Sequence, residues 1–499
     1  MLTRLKVNGF KNLVGVDVQF GPFTCIAGAN GVGKSNLFDA ITFLSNLADK
    51  SLLDAALSVR DDGSHTGDLR SIFHCVGNKS SSEMTFEAEL IIPQTGEDDL
   101  GQPAKATTTF LKYTLKLGYR ADNRPSTGGI EILYEELNYI TQRDAKNHLA
   151  FNHSSDWRKS VVFGRRSGKG YITTASDGDQ VVIKVHQDNK IQGRASRLPA
   201  RTLPRTTLSV ANSAESPTAL LAKREMQSWK RLQLEPSRLR MPDAFTSPTV
   251  LSVDGAHLAA NLYALAKSPV LFPDHENDNR GDLIYTEIAN KLSGLIDDVK
   301  KVDVDVDEKR QLYTLVVTGR DNTRLTARSL SDGTLRFLAL GILQMDPRVH
   351  GLICLEEPEN GIHPERIPAM LRLLCDIASD VNEPASPENP LRQVIINTHS
   401  PAVVADAPDE SVLMAEPISL VDSQGIRFTS IGLRPLANTW RANEPGYRPI
   451  ALGNVLAYLD PLVRNTLPQF PYDVTSGKMV HRVIDRPDVQ ESLFGEKSA

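Results

Sequence analysis

Gly28-Ala29-Asn30-Gly31-Val32-Gly33-Lys34-Ser35 satisfies the spacing G-x-x-x-x-G-K-[ST]. Just before it, Phe23 to Ala27 is a short apolar run that reads as a buried strand. Just after it, Leu37, Ala40, Ile41, Phe43, Leu44 and Leu47 recur near 3.6-residue spacing, which predicts a helix over Asn36 to Leu47. A glycine-rich turn between a strand and a helix lets backbone N–H groups face inward around phosphate oxygens, and the helix N-terminus adds partial positive charge. Gly28, Asn30, Gly31 and Gly33 shape that cradle, Lys34 is placed to reach the β and γ oxygens, and Ser35 to ligate magnesium. The expectation is an α/β phosphate-loop fold that binds a nucleoside triphosphate.

A second run, Leu352-Ile353-Cys354-Leu355-Glu356-Glu357-Pro358-Glu359-Asn360-Gly361-Ile362-His363-Pro364, passes from apolar to acidic. Four apolar residues read as a buried parallel strand, so Glu356 and Glu357 fall at its carboxyl end, where an α/β sheet places its ligand. Glu356 is a candidate for magnesium and Glu357 for polarising an attacking water. Many strands end in solvated carboxylates, so it is the glycine loop that gives this run its weight. Third, Ser329-Leu330-Ser331-Asp332-Gly333-Thr334 precedes Leu335, Phe337, Leu338 and Leu340. It is either a plain helix N-cap or an anion site built from Ser331 and Gly333. Fourth, Ile395-Ile396-Asn397-Thr398-His399-Ser400-Pro401 is a buried strand with a polar tip, and His399 there is placed to sense a γ-phosphate.

Between these motifs the periodicity changes. Residues 3–8 and 16–20 open the chain as a strand pair, and 84–92, 107–119, 130–140, 159–163 and 180–186 read as further strands of an antiparallel sheet. Pro217 to Leu234, His257 to Ala266 and Asp282 to Val299 have helical spacing, and 302–306 with 312–317 suggest a hairpin. A helix is expected from Pro364 to Ala378. The resulting division is 1–200 for an N-terminal lobe with the antiparallel subdomain, 201–300 for a helical insertion, 301–420 for a C-terminal lobe, and 421–499 for an extension without recognisable chemistry.

The chain of 499 residues is 40% hydrophobic and 23% charged, ordinary globular usage that argues against wholesale disorder. No run approaches the roughly 18 apolar residues of a membrane span, and Met1 to Gly9 alternates apolar and charged residues, unlike a signal peptide. Cys25, Cys75, Cys354 and Cys375 lack metal or redox spacing, so a reduced, cytoplasmic setting with no membrane partner is expected. Charge is uneven: residues 141–245 hold 19 Lys and Arg against 9 Asp and Glu, a +10 surplus inside a chain of net charge −5. Lys190, Arg194, Arg197, Arg201 and Arg205 crowd a stretch with two prolines that reads as a loop, either solvated or touching a nucleic-acid backbone.

In order, the glycine loop, a long insertion, L-S-D-G-T, the E-E-P-E-N-G-I-H-P run and N-T-H-S-P resemble the ABC-class ATPases of the SMC, RecF and overcoming-lysogenization-defect type. Gly9-Phe10-Lys11-Asn12 resembles that group's opening element, which implies that Lys11 approaches the nucleotide. The resemblance covers roughly residues 1–45 and 325–415. It implies an ABC-ATPase head (a P-loop NTPase) with an antiparallel β subdomain and a helical insertion, using ATP and Mg2+. It further implies that Ser331 and Gly333 contact the γ-phosphate on a second head, that His399 is the switch histidine, and that ATP drives homodimerisation or higher assembly. Glu356 and Asp332 depart from the group's usual aspartate and glycine, Thr334 from its usual glutamine, and no glutamine linking magnesium to the insertion stands out. Compact relatives with the E-E-P-E motif resemble ATPase subunits of antiphage systems that control a separate nuclease or toxin effector. The alternative is a RecF-like ATPase that loads on DNA through residues 141–245; a transporter ATPase fits less well.

Overall fold

Continuous apolar strands form the centre of the computed structural model, which describes residues 1–59, 69–77, 79–120, 129–178, 180–188, 196–268, 280–293, 299–422, 424–463 and 482–489. Phe23–Ala27, Gly351–Glu356 and Arg392–Thr398 are buried along nearly their whole length, as strands covered on both faces must be. They belong to a six-stranded sheet in the order Lys230–Leu232, Gly351–Glu356, Arg392–Thr398, Phe23–Ala27, Val412–Val421 and Arg427–Pro435. All neighbours are parallel except the last pair. Parallel strands end on the same side, so the residues that follow Ala27, Leu232, Glu356 and Thr398 share one edge.

An eight-stranded antiparallel sheet stands beside it. It runs in the order Ser196–Pro199, Gln180–Val185, Ile172–Asp177, Ile130–Tyr139, Phe110–Tyr119, Glu83–Ile91, Leu2–Asn8 and Val16–Gln19. The helix Lys34–Leu47 lies between the two sheets. Phe43 on that helix meets Phe10 and Phe86 with ring centroids 5.6 Å apart in each pairing, and all three rings are fully buried. Such aromatic clusters contribute beyond their buried area. On the other face, the helices Asp332–Met345 and Ile367–Ile377 bury Leu335, Leu338, Ile342, Met370, Leu374 and Ile377 in a second core. A smaller sheet, with Val299–Asp307 and Leu312–Gly319 as its hairpin, packs with the helices Leu258–Ala266 and Arg280–Ser293. Among the described residues no helix is long and apolar enough to cross a membrane.

Several sequence expectations change. Residues 159–163 are not a strand: Ser155–Val161 is a helix in which the Ser154 hydroxyl accepts from the Trp157 N–H, and Trp157 and Val161 are buried one turn apart. The helical period expected over Pro217 to Leu234 stops at Gln227, after which Lys230–Leu232 joins the edge of the parallel sheet. The strand Ile172–Asp177 has no counterpart in the expectations. In the basic stretch, Ser196–Pro199 is an edge strand paired with Val182 to Val185, not a loop; Lys190 and Arg194 lie outside the described residues.

One fully buried carboxylate fastens the antiparallel sheet to the chain that leaves it. Glu135 accepts from the Tyr113 hydroxyl at 3.1 Å and from the backbone N–H groups of Thr207 and Leu208 at 2.8 and 3.0 Å. Burial pushes its carboxyl above the ordinary range, opposed by the two backbone donors. Glu135→Ala strands three donors, and at about 1–3 kcal/mol for each unsatisfied group the urea midpoint is expected to fall by an amount equivalent to roughly 3 kcal/mol or more. A midpoint within error of wild type would show that the three donors find other partners.

Candidate nucleotide site

The strand Phe23–Ala27 ends against its neighbours in a way that shapes the glycine loop. The Gly28 N–H donates to the Thr398 carbonyl at 3.2 Å, and a Cβ at Gly28 would come within 2.5 Å of the Ala415 carbonyl oxygen. Gly33 has φ +107, and a Cβ there would meet the Asn12 side chain at 2.1 Å; Asn12 donates to the Val32 carbonyl at 3.0 Å and accepts from Asn36 at 2.7 Å. Gly31, at φ +80, faces open space, and Ala29, Asn30 and Gly31 are exposed. The helix that follows has no side-chain cap and no acid in its first turn, so its leading N–H groups are offered to an anion.

Lys34 is 7% exposed and folds under the loop, with Nζ donating to the carbonyls of Gly28 at 2.6 Å and Ala29 at 2.8 Å. Burial lowers its pKa, and the nearby Glu357, Glu359 and Glu356 charges partly restore it. These two carbonyls are ligands that phosphate oxygens can replace. Ser35 is exposed at the helix start. With Glu356 it offers a hydroxyl and a carboxylate, the hard oxygen donors magnesium takes alongside nucleotide phosphates. The uncapped amides, the buried lysine and these donors fit a magnesium–nucleotide complex.

The acidic edge is ordered from both sides. Glu356 Oε1 accepts from Asn397 at 3.3 Å, and Oε2 pairs with Arg231 Nη2 at 2.9 Å. Glu357 sits at φ +45, a conformation a non-glycine residue adopts at a cost. Its N–H donates to the Asn397 carbonyl at 2.9 Å, and its carboxylate is held at 2.8 Å by both His399 Nδ1 and Asn360 Nδ2. Burial works against its charged form, but the hydrogen bonds from Asn360 and His399 and the charges of His399 and Lys34 outweigh it, so its pKa is lowered. Glu359 differs: it is 8% exposed, burial raises its pKa, Thr398 donates to Oε1, and Oε2 is buried without a hydrogen-bond partner among the described residues.

Lys34, Glu356, Glu357 and His399 thus converge, as the motifs imply. Lys11 sits at the same end but pairs with Asp39 of the phosphate-loop helix. Ser331 caps the helix Asp332–Met345 by accepting from the Thr334 N–H at 3.2 Å, and a Cβ at Gly333 would come 2.8 Å from the Gly361 carbonyl oxygen. Their described contacts are within this helix and the turn after Glu357, not with the glycine loop. Asn12, Asn360 and Asn397 stand inside the motifs without an assigned role, and Arg231 lies outside them all. Gln233 does too: it follows the strand beside Glu356 and lines, with Glu356, Glu357, Asn360 and Arg336, a cavity of about 480 Å3. Its place beside Glu356 shows only once its strand is seen to join the sheet.

Parallel strands that bring a phosphate loop and an acid pair to one edge place both where an open α/β sheet binds its ligand. Residues 23–182 and 186–405 match the family model described as "AAA domain, putative AbiEii toxin, Type IV TA system", and the chain belongs to that family. No curated protein matches it. Among solved structures it aligns with an SmcHead bound to the C-winged helix domain of ScpA, at 12% identity over 87% of this chain and 98% of that one, with a TM-score of 0.42. It also aligns with the SMC head domain from Thermotoga maritima (12% identity, 87% and 99% covered, TM-score 0.35). A third is the Smc head domain with an extended coiled coil bound to the C-terminal domain of ScpA, derived from Pyrococcus furiosus (10% identity, 92% and 99% covered, TM-score 0.40).

Gly33→Ala tests the cradle. A side chain at left-handed φ costs about 1–2 kcal/mol and here also displaces Asn12, so affinity for a fluorescent ATP analogue is expected to fall at least ~10-fold with an unchanged circular dichroism spectrum. Undiminished affinity would remove the loop from the nucleotide site.

Proposed function

We propose that the protein binds and hydrolyses ATP, and that ATP-dependent pairing of two heads is the switch it contributes to a defence system with a separate nuclease or toxin effector. The observation that carries the hydrolytic part is the Glu357–His399 pair beside Lys34. A carboxylate kept ionised by two hydrogen bonds can take a proton from the attacking water at Oε1 or Oε2, and His399 holds it in place for that transfer. Lys34 and the loop N–H groups bind and neutralise the phosphates. Magnesium, held by Ser35 and Glu356, would supply further charge neutralisation at the transferred phosphoryl group.

The pairing part draws support from the helix start at Ser331. Its described contacts lie away from the glycine loop of its own chain and Arg240 draws off the Asp332 charge, so the helix-end charge, felt only within the first turn, suits a phosphate on a second copy. The family description, which names a putative toxin of a type IV toxin–antitoxin system, favours a defence setting over DNA repair. The basic stretch adds little to the repair reading, since Arg197 faces Asp177 at 3.4 Å and Arg201 faces Glu131 at 3.8 Å.

Glu357→Gln is expected to keep nucleotide affinity, slow hydrolysis by at least ~10²-fold and accumulate dimers with ATP, read by light scattering. Absence of those dimers would count against the assigned base. For the shared site, Lys34→Ala and Ser331→Arg proteins, each inactive alone, are mixed. One composite site then combines an intact loop with an intact Ser331 helix, and activity is expected to return in part. Verified heterodimers without activity would place the complete site in one chain or require both sites together.

A further inference from the structure

Arg231 has no role in the reading above, yet it joins three separate parts of the site. It lies on the edge strand Lys230–Leu232, in register with Cys354 two residues before Glu356. One arm of its guanidinium, Nη1, donates to Asp39 Oδ1 at 2.7 Å; the other, Nη2, reaches Glu356 Oε2 at 2.9 Å. Asp39 is 8% exposed and lies four residues after Ser35, on the same face of the phosphate-loop helix. Its second oxygen takes Lys11 Nζ. A chain of alternating charge therefore runs from Lys11 through Asp39 and Arg231 to Glu356, one turn below the hydroxyl offered to magnesium.

Fork geometry makes this more than a fold contact. A planar guanidinium fixes two carboxylates in one orientation, which a point charge on a flexible stem does not. With Oε2 held by Arg231 and Oε1 by Asn397, the Glu356 carboxylate has one orientation before any ligand arrives. The same positive charge repels a divalent cation at that carboxylate, since like charges a few ångströms apart in a half-buried site are poorly screened.

We propose that Arg231 is a positioning residue that orients Glu356 for the metal, tempers the affinity of that carboxylate for a divalent cation, and couples it through Asp39 to the phosphate-loop helix. The proposal rests on Glu356 being a metal ligand.

The test uses the full chain, a fluorescent ATP analogue, and Mn2+ followed by electron paramagnetic resonance. Arg231→Gln is expected to leave nucleotide affinity in EDTA within about threefold of wild type. The Mn2+ midpoint of the nucleotide complex is expected to move roughly tenfold lower, and turnover to fall ~10²-fold, the scale of a lost charge-assisted contact. Arg231→Lys, which keeps the charge but not the fork, is expected to retain the wild-type Mn2+ midpoint while still losing turnover. Asp39→Asn is expected to lower turnover in the same direction as Arg231→Gln, with less than additive loss in the double variant. A merely structural arginine would lower the melting temperature and leave the Mn2+ midpoint in place, and that result overturns the proposal; should Arg231→Gln fail to fold, turnover of Arg231→Lys equal to wild type overturns it equally. Glu356→Gln separates the two levels: an unchanged Mn2+ midpoint there means that Glu356 is not the ligand and the underlying assignment fails first.

Discussion

Three carboxylates, Glu356, Glu357 and Glu359, crowd the end of one strand, and the site exists because each is managed differently. Glu356 is matched by the Arg231 guanidinium, Glu357 by His399 and Asn360, and Glu359 is driven toward its neutral form by burial. Like charges this close cannot all ionise in a half-buried setting without counter-charges. Lys34 faces all three across the loop. The balance explains why residues from the ends of four parallel strands must meet: no single element carries both the acids and the cations that keep them in place.

The helix beginning at Ser331 sits outside this balance. Asp332 in its first turn is engaged by Arg240 of the insertion, which also donates to the Leu330 carbonyl at 3.0 Å. Arg336 reaches the Asn360 carbonyl, in the turn that carries the partner of Glu357. A shift of this helix therefore bears on the orientation of Glu357 through the turn that carries Asn360 and Gly361.

Contiguous chemistry is legible in this sequence and chemistry assembled through space is not. A phosphate loop needs its glycines, lysine and serine at fixed spacing along one chain segment, so Gly28 to Ser35 announces itself, as does the acid pair ending an apolar run. Asp39 and Arg231 come from different elements and carry no spacing rule, and Asn12 and Asn397, though they stand in motif runs, show their contacts only in the fold. Gln233 hides for a related reason: three residues are too short for a strand period, and only pairing with Gly351–Glu356 makes Lys230–Leu232 a strand. The helix Ser155–Val161 is misread as a strand because a brief apolar run at Val161 to Phe163 satisfies either period. Motif order also leaves the role of Ser331 undivided between cap and anion site, since one geometry serves both.

Phe23–Ala27 is flanked by Arg392–Thr398 on one side and Val412–Val421 on the other. Both neighbours of the strand that launches the phosphate loop are thus made some 370 residues later in synthesis. The antiparallel sheet can close early from local pairings such as Phe110–Tyr119 with Ile130–Tyr139, but the loop strand waits, apolar and unpaired, for nearly the whole chain. Non-local pairing of this kind is slow and exposes aggregation-prone edges while it is pending. During production of the protein the glycine loop is therefore among the late parts to become sound, and a chain interrupted before residue 392 carries the intact glycine motif without either strand that flanks it.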